Sequence, residues 1–116
     1  MERSADTPRG AIFEMADLLA AHAREGKLGH RFMNIPSLRM GIYKLPAGSA
    51  DPQAPHEEDE VYYVLEGRAK FQIDGDLRPV QPGSVVFVAT GIPHKFVEIE
   101  EDLTTLVFFS HHKPTA

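Results

Sequence analysis

The sequence has no cysteine, which excludes disulfides, thiolate-held metals and cysteine nucleophiles together. It also lacks a long apolar run. The longest, at 85–89 and 106–109, are strand-sized and far short of the roughly 20 residues that a membrane helix needs. Basic residues are in the minority, 12 Lys and Arg against 17 Asp and Glu for a net charge of −5. That balance argues against nucleic acid as a partner, because binding to a phosphate backbone is driven by basic patches. No basic start leading into an apolar stretch and a small-residue cleavage site is present, so a cytoplasmic protein is expected. There is no Ser-His-Asp arrangement, and Gly48, Gly67, Gly75, Gly83 and Gly91 fall at strand turns rather than in a phosphate loop.

What is present suits one soluble domain. The chain has 116 residues, of which 42% are hydrophobic and 25% charged, enough for a single core and no second one. Residues 1–10 are polar and read as a loose terminus, 11–35 as a helix or strand cover, and 36–110 as a β-barrel. Ile12, Met15, Ala16, Leu19 and Ala23 recur at about 3.6 residues and predict a helix ending near Glu25, with Gly26 as its left-handed cap. Residues 11–14 fit a short strand equally well.

Beyond the helix, runs rich in Val, Ile, Tyr and Phe at 32–35, 38–45, 61–66, 69–73, 85–89, 94–99 and 104–110 are separated by Pro, Gly and Asp turns. Asp74-Gly75 is a strong hairpin signal. About seven short strands with no intervening helices predict an antiparallel all-β sandwich or barrel.

The chemistry concentrates at two places. In His56-Glu57-Glu58-Asp59-Glu60, strand alternation puts His56 and Glu60 on one face. In Gly91-Ile92-Pro93-His94-Lys95-Phe96 a turn feeds a strand on which His94, Phe96 and Glu98 share a face. Imidazole and carboxylate are the usual ligands of a divalent transition metal where thiolates are absent. Glu57, Glu58 and Asp59 read as a solvated run, and His22, His30, His111 and His112 as structural or exposed.

The spacing of these residues resembles the two signatures of the cupin superfamily. Gly48, five residues, Ala54, Pro55, His56, three residues, Glu60, six residues and Gly67 is similar to the first. Gly83, five residues, Ala89, one residue, Gly91, two residues, His94, three residues and Glu98 is similar to the second, and 15 residues separate the two. The resemblance implies a double-stranded β-helix, an RmlC-like jelly-roll barrel, carrying a short N-terminal helix. It implies metal-ligand roles for His56, Glu60 and His94, with iron, manganese, nickel or zinc as the ion.

Three positions depart from the family pattern: Ala54 stands for a histidine, Ala89 for the proline and Glu98 for the asparagine. Ala54 cannot donate, so Gln53 and Glu58 are the candidates to replace it. A thinned ligand set leaves coordination positions open for water or substrate, compatible with dioxygenase or with isomerase or lyase chemistry on a small organic molecule. It is equally compatible with a non-catalytic ligand-binding or regulatory module.

Among the strand residues, Arg39, Tyr43, Tyr62 and Phe96 are candidates for the pocket wall. Arg39 and Tyr43 together suit a carboxylate-bearing ligand if the odd-numbered face of their strand looks inward. Aromatics of a small barrel fill its core, and that role is expected for most of Tyr43, Tyr62, Phe71, Phe87, Phe96 and Phe108. Exposed strand edges predict a homodimer, with 11–35 as a cover or a swapped arm.

Overall fold

A computed structural model describes residues 8–54 and 57–110. One helix, α1 (Met15–Glu25), precedes eight strands: β1 (Gly29–Ile35), β2 (Leu38–Leu45), β3 (Asp59–Glu66), β4 (Ala69–Ile73), β5 (Asp76–Val80), β6 (Val85–Val88), β7 (His94–Val97) and β8 (Leu103–Ser110). They form a five-stranded sheet in the order β1-β2-β8-β3-β6 and a three-stranded sheet in the order β5-β4-β7. Every pairing is antiparallel, as the absence of intervening helices predicts. The all-β jelly-roll expectation with a short N-terminal helix holds.

The core lies between the sheets. Leu45, Tyr62, Val64 and Leu103 from the larger sheet meet Ala69, Phe71, Val80 and Phe96 from the smaller. Tyr62, Phe71 and Phe96 form an aromatic triangle with centroids 4.6 to 5.5 Å apart and strongly inclined rings, the edge-to-face arrangement that ring quadrupoles favour. Gly67, at the β3–β4 turn, has φ +95°, and a Cβ there would lie 2.4 Å from the Asp102 carbonyl oxygen. Both constraints demand glycine, which accounts for that position of the first signature.

Four details differ from the sequence reading. The strand β5 is additional. Asp76-Leu77-Arg78-Pro79-Val80 carries a proline and buries only Val80, and it tolerates both because it lies at a sheet edge. It is joined to β4 by the expected hairpin, in which Asp74 and Gly75 take φ 46° and 89°.

The helix starts at Met15, residues 11–14 being neither helix nor strand, and it buries Leu18 and His22. Ile12 is 91% exposed, and Ala16 and Ala23 are also exposed. Alanine contributes little area, so docking on β1 and β2 is set by Leu18 and by the N–H of His22 Nε2, which donates to the Leu28 carbonyl at 2.8 Å. Gly26 does close the helix with φ 67°.

Finally, Glu98 does not share the His94 and Phe96 face. It has φ 47° and is exposed, and Ile99 takes the buried place. A left-handed residue breaks the two-residue period. Phe87 is also not in the core but 60% exposed.

Candidate functional site

Alternation on β3 buries Glu60, Tyr62 and Val64, and on β7 it buries His94 and Phe96. The two strands lie in opposite sheets, so Glu60 and Tyr62 look across the sandwich at His94. His94 Nε2 lies 3.3 Å from Glu60 Oε1, with both side chains about 2% exposed or less. The Nδ1–H of His94 donates to the Ile92 carbonyl at 2.7 Å. That bond fixes the tautomer, so in the neutral ring the Nε2 lone pair is aimed at Glu60, the orientation that a metal-ligating histidine requires.

Tyr62 joins this pair to the loop before β3. Its hydroxyl lies 2.6 Å from Glu60 Oε2, 2.7 Å from Gln53 Oε1 and 3.4 Å from His94 Nε2. Gln53 is set in turn by Asp51, a buried carboxylate that accepts hydrogen bonds from the Gln53 side-chain amide, the Tyr43 hydroxyl (2.5 Å) and the Phe96 backbone N–H (2.9 Å). Asp51 thus ties β2, the loop and β7 together and turns the Gln53 carbonyl oxygen toward Tyr62.

The electrostatics follow from burial. Desolvation pushes the Tyr62 phenol far above its ordinary value, and the neighbouring Glu60 adds to the rise. Tyr43 is raised by the same two causes, with Asp51 as the neighbour. Both hydroxyls are therefore protonated donors across the physiological range. For His94, desolvation by burial favours the neutral ring. The hydrogen bonds to Glu60 and to the Ile92 carbonyl, with the charges of Glu60 and Asp51, outweigh it and raise the pKa above 6.5.

A cavity of about 410 Å³ opens beside this cluster, large enough for a small organic molecule. Tyr62, Gln53 and Tyr43 supply its polar groups, Val107 and Phe109 part of its apolar wall, and Arg31 a cation. A second depression of about 290 Å³ reaches Gln53 and His94 from the other side.

The candidates from the sequence are placed as follows. Glu60 and His94 meet in the buried cluster. His56 lies outside the described residues, as do His111 and His112. Among the described residues no group of three or more His, Asp or Glu stands in metal-holding geometry. Tyr43 and Tyr62 line the cavity, whereas Phe96 is a core residue behind Tyr62. Arg39 does not line the cavity. It is ion-paired with Glu58 and borders a separate shallow depression with Asn34, Ile35 and Pro36.

Glu58 is thereby held by a cation, while the Gln53 carbonyl is at the cluster. Asp51 and Arg31 were not singled out from the sequence. Asp51 precedes Pro52 in a stretch that reads as a turn, and Arg31 precedes the first recognisable strand run; neither carries a local signal.

A model of the cupin domain family matches residues 41–110. An uncharacterized protein of Streptomyces coelicolor is 41% identical over 98 residues, covering 84% of this chain and 93% of its own length. Dimethylsulfoniopropionate lyase DddQ of Ruegeria pomeroyi is 32% identical over 81 residues, 69% of this chain but only 40% of the lyase. The crystal structure of that lyase superposes with a TM-score of 0.68 over 76% of this chain and 48% of its own, at 27% identity. The crystal structure of TT1209 from Thermus thermophilus gives 0.71 over 85% and 95%, at 26% identity.

Proposed function

The chain belongs to the cupin family, and from that premise we propose that it is a metal-dependent enzyme of lyase or isomerase type acting on a small organic molecule in the barrel cavity. The supporting observation is that one residue, Tyr62, joins the buried Glu60–His94 cluster through its hydroxyl and also belongs to the cavity lining. Glu60 and His94, with His56 as the third member of the set, would hold the metal. Their donor atoms stand 3.3 Å apart, as do two ligands each about 2.1 Å from a shared ion. An ion held there would supply Lewis acidity toward a substrate oxygen. Tyr62, kept protonated, donates a hydrogen bond to the substrate, and the apolar wall of Val107 and Phe109 keeps water from that contact.

The likeness to a lyase over 69% of this chain favours bond cleavage or isomerisation over oxygen chemistry. Ala54, at the place of a family histidine, is the one feature that favours a binder without turnover.

Elemental analysis after purification without chelator tests the site. The wild type is expected to carry iron, manganese, nickel or zinc, and His94→Ala and Glu60→Gln are expected to lose most of it. Unchanged metal in both variants removes the reading. Metal without turnover of any small acid, ester or keto acid moves the assignment to the binding module.

The protein acts as a homodimer through the outer face of β3 and β6. There the cross-strand partners Val61 and Phe87, and Tyr63 and Val85, make an apolar row in which Val85 is 68% exposed and Phe87 60%. Beside it β6 is an edge strand. Light scattering at micromolar concentration is expected to give twice the chain mass, and the Val85→Lys/Phe87→Lys variant the single mass. A monomeric wild type overturns it.

A further inference from the structure

The inner face of the larger sheet carries a row of residues in direct register. Arg31 on β1 faces Gly41 on β2, Gly41 faces Val107 on β8, and Val107 faces Tyr62 on β3. Two long polar side chains stand at the ends and the two middle places are small, so the row is a trough with Arg31 and Tyr62 as its walls. All four residues line the 410 Å³ cavity. Three strand spacings separate the outer backbones by about 14 Å, a span that the two long side chains narrow to that of a small molecule.

Arg31 is set in this position. The β1–β2 register shifts between Arg31 and Met33, a bulge of the kind that re-aims a side chain. Its extra residue, Phe32, packs edge-on against Phe13 at 4.9 Å. Gly41 admits the bulged strand, because a Cβ there would lie 3.0 Å from the His30 carbonyl oxygen and 3.4 Å from Arg31 Cα. The guanidinium lies over the Phe109 ring, 6.0 Å from its centre.

Two other side chains on β1 and β2 that could meet an anion already have partners. His30, which also lines the cavity, pairs with Glu25, and Arg39 pairs with Glu58. Among the described residues no carboxylate pairs with Arg31.

We infer that Arg31 is the specificity-determining anchor of the cavity, and that the ligand is a short organic acid whose carboxylate pairs with the guanidinium while its far end reaches Tyr62 and Gln53. A guanidinium offers a planar fork of donors that matches a carboxylate. The apolar floor between suits a hydrocarbon body of a few carbons. The inference rests on the cavity being the ligand site and does not require the metal.

The test titrates propionate, butyrate and hexanoate, each beside its amide, into as-purified and chelator-treated protein, followed by NMR. Chelation removes any binding of the acids to an ion. Wild type is expected to prefer acid over amide by about tenfold or more, the margin of a charge-assisted over a neutral hydrogen bond. Arg31→Gln is expected to abolish the preference with unchanged circular dichroism and metal content, and Arg31→Lys to keep part of it.

Equal binding of acid and amide, no binding of any acid at millimolar concentration, or an undiminished preference in Arg31→Gln overturns the inference. If the wild type holds no metal yet chelator-treated protein keeps the preference, the metal reading fails and this one stands. Metal with no preference gives the reverse.

Discussion

The interior of this barrel has two ends built on opposite principles. Toward Val64, Phe71 and Leu103 it is hydrocarbon packed to near-zero exposure. Toward Glu60, His94 and Asp51 it is a hydrogen-bonded polar cluster, also buried. Tyr62 spans both, with its ring in the aromatic triangle and its hydroxyl in the cluster. The apolar end stabilises the fold by removing area from water. A buried acid–base pair gains little net stability after desolvation, so the polar end contributes less to the fold than the apolar one.

The largest test of that contrast is Phe71→Ala. It should destabilise by about 3–5 kcal/mol through lost transfer energy and the cavity left behind, read by chemical denaturation. A cost below about 1 kcal/mol means the triangle is not central to the core.

At the other end, single and double replacements should part company. In chelator-treated protein Glu60→Leu alone should cost about 1–3 kcal/mol, because the buried His94 ring and the Tyr62 hydroxyl lose the carboxylate they lie against. Glu60→Leu/His94→Leu should recover most of that and still bind no metal. Equal losses in both variants mean the two residues are not a coupled unit.

The smallest effect is in pH. His94 is raised in the folded state above its ordinary 6.5. The stability it contributes to metal-free protein is therefore fully present below about pH 6.5 and lost as pH rises through the elevated value. Denaturation of chelator-treated protein from pH 6 to 9 should show this decline, and His94→Gln should flatten it. The same proton competes with the ion, so metal affinity should weaken as pH falls through that value. Affinity constant across that range refutes the competition.

Much of this was legible in the chain. Asp74-Gly75 demanded a hairpin, and alternation along 94–96 put His94 and Phe96 on one face, where both are buried. Strand β5 was hidden because an edge strand holding a proline and burying one residue has no period-two signal. The helix face was misread because alanines and Ile12 weighted the pattern, while a buried histidine fixed the docking. Arg39 and Arg31 show the same limit. Both are arginines on neighbouring strands, and only register and partners separate the one held by Glu58 from the one that lines the cavity.

Local covalent order sets residue parity, turn chemistry and donor type, and these are properties of a few consecutive residues. They sufficed for an antiparallel barrel and for singling out Glu60 and His94, which the structure brings together. Which strands lie opposite one another, and so that His94 faces Glu60 across the sandwich, that Asp51 turns Gln53 toward Tyr62, and that Arg31 aligns with Tyr62 across four strands, depends on pairing between segments distant in the chain. Only the closed barrel determines those distances, because each is the sum of strand registers that no local stretch encodes.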